Sequence, residues 1–105
     1  MSFREPLSLQ HVKDVLQEIR RSLKHHVREA YLFGSIVFGS AVPGESDIDL
    51  LIVPTDASID YYRLLSRALE LALEKGLKLH IVIYDERRHG KSFLDSVREK
   101  GFRLI

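Results

Sequence analysis

Two short stretches hold the residues whose types and spacing can do chemistry: Gly34-Ser35-Ile36-Val37-Phe38-Gly39 and Ser46-Asp47-Ile48-Asp49-Leu50. Asp47 and Asp49 are two apart in a segment that reads as a strand, so both carboxylates leave the same face. Their Cβ atoms are expected roughly 6–7 Å apart, at ~3.3 Å of rise per residue. Carboxylates so placed can grip one divalent cation or bracket a pair of them. Mg²⁺ suits such a site, because it takes one or two carboxylates plus phosphate oxygens from a substrate. Gly34 and Ser35 end the preceding apolar run. A glycine there lets the backbone come close to a ligand, and the hydroxyl and N–H groups that follow can hold phosphate. A phosphate-holding turn facing a metal-holding carboxylate pair suits phosphoryl or nucleotidyl transfer. Asp-x-Asp alone recurs by chance, and a Gly-Ser turn is commonplace. Their order, twelve residues apart with each at the end of a strand, is what carries information. Two acids opening an otherwise apolar strand also repel each other unless something positive sits between them.

The elements that must position these residues follow from hydrophobic periodicity. Leu9, Val12, Leu16, Ile19 and Leu23 form one stripe on a helix from about Ser8, its cap, to His25. Tyr31-Leu32-Phe33 reads as a strand. Residues 34–46, punctuated by Gly34, Gly39, Pro43 and Gly44, read as a loop or a short turn of helix. Asp47 to Val53 is a strand with a polar start, apolar on both faces in its second half. A single helix is predicted from about Ser58 to Lys75, with Ile59, Tyr62, Leu65, Leu69 and Leu73 facing inward and Gly76 as the stop. Tyr61 and Tyr62 cannot both face the core, and Tyr61 is a candidate for modification. Leu77 to Tyr84 reads as a strand with Leu79, Ile81 and Ile83 on one face, and Lys91 to Lys100 as a last helix before an extension at Phe102–Ile105. The cluster Arg87-Arg88-His89-Gly90-Lys91 reads as a solvated loop. This order gives an α/β (α+β) fold in which helices pack on a small sheet.

Composition narrows the functions. A chain of 105 residues makes one domain, 1–105, with a surface groove for a site and no separate substrate domain. A net charge of +1 argues against a binder held to nucleic acid by phosphate neutralisation and against a polybasic membrane patch. The chain has no cysteine, which removes disulfides, zinc–thiolate sites and thiol catalysis and fits a reducing cytoplasm. Met1 to Pro6 does not read as a signal peptide, and no apolar run approaches the ~20 residues that span a bilayer. A small core and an exposed rim are compatible with a homodimer.

Gly-Ser-x-x-x-Gly followed by Ser-Asp-Ile-Asp-Leu-Leu-Ile resembles the DNA polymerase β-type nucleotidyltransferase superfamily. The length is similar to its minimal nucleotidyltransferase branch, small cytosolic proteins often paired as antitoxins with a helical HEPN partner. The resemblance implies a small mixed sheet with helices packed on it. It implies that Gly34, Ser35, Gly39 and Ser46 bind the nucleotide, that Asp47 and Asp49 bind Mg²⁺, with Mn²⁺ as a second option, and that NMP passes from an NTP such as ATP to a hydroxyl of a protein partner.

The sequence departs from the resemblance in two places. The family's third carboxylate, on the next strand, corresponds here to His80. A neutral imidazole, titrating at about 6.5 when unperturbed, can act as a base or bind a softer metal such as Mn²⁺ or Zn²⁺. It adds no negative charge to a Mg²⁺ site. Asp85 lies roughly 16 Å further along an extended strand and on its other face, which makes it a poor substitute. The three variable positions of the glycine motif are Ile36, Val37 and Phe38, expected in the core, where relatives often carry Arg. Two functions follow: a nucleotidyltransferase using Asp47, Asp49 and His80, or a non-catalytic module of the same fold that binds nucleotide or neutralises a partner by covering it.

Overall fold

The computed structural model describes residues 12–37, 47–56 and 58–105. Among the described residues, eight elements follow in order: α1 (Lys13–Leu23), β1 (Val27–Phe33), β2 (Asp47–Pro54), α2 (Tyr61–Leu64), α3 (Ser66–Glu74), β3 (Lys78–Ile83), α4 (Glu86–Lys100) and β4 (Phe102–Arg103). The strands form one mixed sheet in the order β3-β2-β1-β4. β2 runs antiparallel to β1 and parallel to β3. The expected start of the first helix, with its cap at Ser8 and with Leu9 in the stripe, lies outside the described residues.

β2 divides the interior, because successive side chains on a strand point to opposite faces. Ile48, Leu50 and Ile52 join Ala30, Leu32, Leu79 and Ile81 against α1 and the α2–α3 segment, burying Val15, Ile19, Leu23, Tyr61, Leu65, Ala68 and Ala72. Leu51 and Val53 join Tyr31 on the other face, packed against Leu94 and Val97 of α4. Ile36 is fully buried and Val37 packs on the first cluster, as expected, while Phe38 lies outside the described residues.

Several expectations need correction. β1 begins at Val27, four residues before the predicted strand, because Arg28 and Glu29 occupy strand positions that are not fully buried. The predicted helix 58–75 is two helices broken at Leu65 (φ −96°, ψ 13°). Asp56 delays its start by accepting from the Ser58 N–H at 2.9 Å, and Asp60 caps α2 by accepting from the Arg63 N–H at 3.2 Å. The inward stripe is Tyr61, Leu65, Ala68 and Ala72, while Tyr62 and Leu73 are 57% and 62% exposed. Two stripes of helical period overlap in this sequence. The small alanines let the helix come close to the sheet and α1, and the Tyr61 hydroxyl donates to the His26 carbonyl at 2.9 Å. Tyr61 is therefore buried and is not an accessible modification site.

The last helix starts at Glu86, where Asp85 accepts from the Arg87 N–H at 3.0 Å, so the basic cluster is a capped helical turn and not a loop. Gly90 then breaks the helix with φ 74°, a value that favours glycine. The extension after Gly101 is a strand: β4 pairs Arg103 with Tyr31 and Phe102 with Leu32.

A charged contact fixes α4 to β1. The Arg98 guanidinium donates to both Glu29 carboxylate oxygens, and the Tyr31 hydroxyl donates to Glu29 at 2.7 Å. The Arg98 hydrogen bond holds the Glu29 carboxyl down at about 2, against burial, and Glu29 in turn raises Arg98.

Two outcomes are expected in urea denaturation. Ala68→Leu overpacks the inner face and costs about 1–3 kcal/mol, whereas Leu73→Ala changes stability by no more than about 0.5 kcal/mol. Glu29→Gln costs about 1–2 kcal/mol at neutral pH. Because the folded Glu29 pKa is depressed from 4.5 to about 2, that difference is fully present above the unfolded value and disappears as pH falls through the interval.

Candidate functional site

The alternation that buries Leu51 and Val53 sends Asp47 and Asp49 to the same side of the sheet, the side on which α4 packs. Asp47 is exposed, and the Asp49 side chain is 24% exposed. β3 lies parallel to β2 with His80 in register with Asp49 and Lys78 in register with Asp47. On the other side, Phe33 of β1 is in register with Asp49. The structure thereby brings Asp47, Asp49 and His80 together, and one ligand atom from each lies within 4.8 Å of the others. The His80 Nδ1 is 3.1 Å from the Asp49 Oδ1, with 58% of the imidazole exposed. Among the described residues, Asp47 makes no ion pair. Two carboxylates and an imidazole converging on one face form a donor set that fits a divalent ion.

Gly34 completes this corner. Its φ is +80°, a left-handed conformation that side chains rarely adopt, and a Cβ built on it would overlap the Asp49 Oδ2. The end of β1 therefore passes directly against the carboxylate. The chain then turns, with the Val37 N–H donating to the Gly34 carbonyl at 3.1 Å, which places Ser35 within the turn. Gly39 and Ser46, also expected at the nucleotide, lie outside the described residues. Asp85 caps α4, consistent with its expected absence from the cluster.

Sequence reasoning missed what α4 contributes. A cavity of about 190 Å³ opens beside Gly34, lined by Phe33, Phe93, Ser96, Val97, Lys100 and Gly101. Phe33 and Phe93 meet edge to face at 5.8 Å between centroids. Nothing local in the sequence links Phe93 or Lys100 to Gly34, since the approach depends on how α4 lies on the sheet. The only available signal was the unassigned aromatic and lysine on the helix face that also carries Val97.

The mixed sheet, the Gly-Ser turn at the end of one strand and the paired acids at the start of the next define a nucleotidyltransferase-type domain. A family model described as "Polymerase beta, Nucleotidyltransferase" matches residues 17–105, and the chain belongs to that family. A comparison with curated proteins finds no match. Among solved structures, one described as a toxin-antitoxin with AMP-PNP aligns at 22% identity and TM-score 0.56, covering 86% of this chain and 72% of the other. Another, described as the toxin-antitoxin MntA-HepT, aligns at 19% identity and TM-score 0.51, covering 91% and 71%. These likenesses show the fold. Among the described residues, no helix is long and apolar enough to cross a membrane.

The contact between Gly34 and Asp49 can be measured. Gly34→Ala is expected to cost about 1–2 kcal/mol, from backbone strain and the overlap with the carboxylate. Adding Asp49→Ala removes the overlapping oxygen, so the double variant should recover part of that loss. A denaturation cycle showing strictly additive costs would mean that the two residues do not press on each other.

Proposed function

We propose that this protein transfers a nucleoside monophosphate from an NTP, with ATP the expected donor, to a hydroxyl on a protein partner. The observation that carries the proposal is the convergence of Asp47, Asp49 and His80 within 4.8 Å, beside the Gly34 turn. Asp47 and Asp49 would hold a divalent ion, Mg²⁺ or Mn²⁺, which when bound neutralises phosphate charge and polarises the α-phosphorus. Gly34 and Ser35 orient the triphosphate through the backbone and hydroxyl of their turn, with Gly39 and Ser46 as further candidates. His80 completes the cluster. The acceptor oxygen forms a bond to the α-phosphorus, the bond from that phosphorus to the bridging oxygen breaks, and pyrophosphate leaves. The hydroxyl proton passes to solvent at this open face.

The choice of partner draws on the two toxin-antitoxin structures that share the fold, one of them holding an ATP analogue. A helical HEPN-type toxin carrying the acceptor hydroxyl fits them, with this chain as the antitoxin in the cytoplasm. A second reading follows from His80 in the third ligand position: a module that neutralises its partner by binding alone.

The test uses NTPs labelled at the α-phosphate, with Mg²⁺ and separately Mn²⁺, and the co-encoded partner or an extract of the source cells. Wild type is expected to place label on a macromolecule, and Asp49→Asn to lose about 100-fold or more of that transfer, since it removes a ligand directly. No label with either ion, from a protein that still binds its partner, would overturn transfer and leave the binding module.

A further inference from the structure

We infer that His80 is a direct metal ligand, so that this site has mixed oxygen and nitrogen donors and selects Mn²⁺ over Mg²⁺ more strongly than an all-carboxylate site does. This rests on the reading above that the site holds a divalent ion. The atom facing Asp49 is the imidazole Nδ1, 3.1 Å from Oδ1. Two donors each about 2.1 Å from one ion and at right angles to each other lie about 3.0 Å apart. The observed spacing matches two neighbouring ligands of one ion, and it is also that of the hydrogen bond the two groups make with no ion between them. The whole set spans at most 4.8 Å, against about 4.2 Å for donors on opposite sides of one ion. A small side-chain rotation closes that gap, and the exposure of Asp47 and His80 permits it.

The donor chemistry sets the preference. Mg²⁺ is a hard ion that takes oxygen ligands and gives up water reluctantly. Imidazole nitrogen suits later first-row ions, and Mn²⁺ accepts both nitrogen and carboxylate oxygen. Replacing a third carboxylate with a neutral ring also removes one negative charge, which weakens a mainly electrostatic hold on Mg²⁺. The register fixes the assignment, because β3 places His80 beside Asp49 and no other residue of β3 has a ligand atom in the cluster. A nitrogen bonded to the ion has no lone pair left to take a proton, so this role replaces that of general base expected from the sequence.

The experiment uses the full chain with Mn²⁺ alone and Mg²⁺ alone. Electron spin echo modulation of bound Mn²⁺ is expected to show a directly coordinated nitrogen in wild type and none in His80→Asp or His80→Gln. Calorimetric titration of both ions is expected to show the Mn²⁺-to-Mg²⁺ affinity ratio falling about tenfold in His80→Asp, with Mg²⁺ binding strengthened. His80 is exposed, so neither variant should lose its fold, and matching thermal melts check this. Stoichiometric Mn²⁺ binding without nitrogen modulation, or an unchanged ratio in His80→Asp, would overturn the inference and reduce His80 to a hydrogen-bond partner. Label transfer with Mg²⁺ in that case leaves the proposed activity standing. A nitrogen signal without transfer does the reverse, and failure to bind either ion overturns both.

Discussion

The alternation of side chains along β2 is the constraint on which the rest depends. This central strand is covered on both faces, so its even-numbered residues must find one apolar layer and its odd-numbered residues another. The first requirement is met by α1, α2 and α3, which close over Ile48, Leu50 and Ile52. The second is met by α4, which closes over Leu51 and Val53. The same rule gives Asp47 and Asp49 no choice of face. They lie in line with Leu51 and Val53, Asp47 exposed and Asp49 partly so.

Position along β2 then converts into a site through the neighbouring strands. The parallel pairing with β3 sets His80 opposite Asp49, and the antiparallel pairing with β1 brings Phe33 and Gly34 to its other side. A shift of one residue in either pairing would send His80 or Phe33 to the opposite face. The buried alternation of both strands resists that slip, so the cores hold the chemistry in register. The contacts among Glu29, Tyr31 and Arg98 act at the same level, tying α4 to β1 and so fixing one wall of the cavity beside Gly34.

The corner itself combines groups of opposing demands. Two carboxylates on one face favour a cation, Gly34 admits no side chain between backbone and Asp49, and the third group is a neutral imidazole. In the family that this chain belongs to, the third position is usually a carboxylate, and here it is an imidazole that carries no negative charge when neutral. The departure at His80 is thus informative about this chain in a way that its agreement with the family is not.

The motif residues, the central strand and the helix-strand order were legible in the sequence, because periodicity of 2 or 3.6 residues is a local property of the backbone. The pairing of Asp47 with Asp49 on one face needed no more than that. The inward face of α2 and α3 was not legible. Tyr62 and Leu73 are as periodic as Tyr61, Ala68 and Ala72, and the close approach of the helix to its neighbours selects the smaller set. β4 and the polar start of β1 also escaped, since Glu29 and Arg103 occupy strand positions secured by pairing and not by their own propensity, and Arg28 sits at a bulge between paired residues. By itself, the sequence determined which residues could do chemistry and on which side of their strand they stand. Only the tertiary structure decided that His80 meets Asp49, that Gly34 presses against it and that Phe93 and Lys100 line the space beyond, because those contacts join segments far apart in the chain and depend on packing and register that no local pattern specifies.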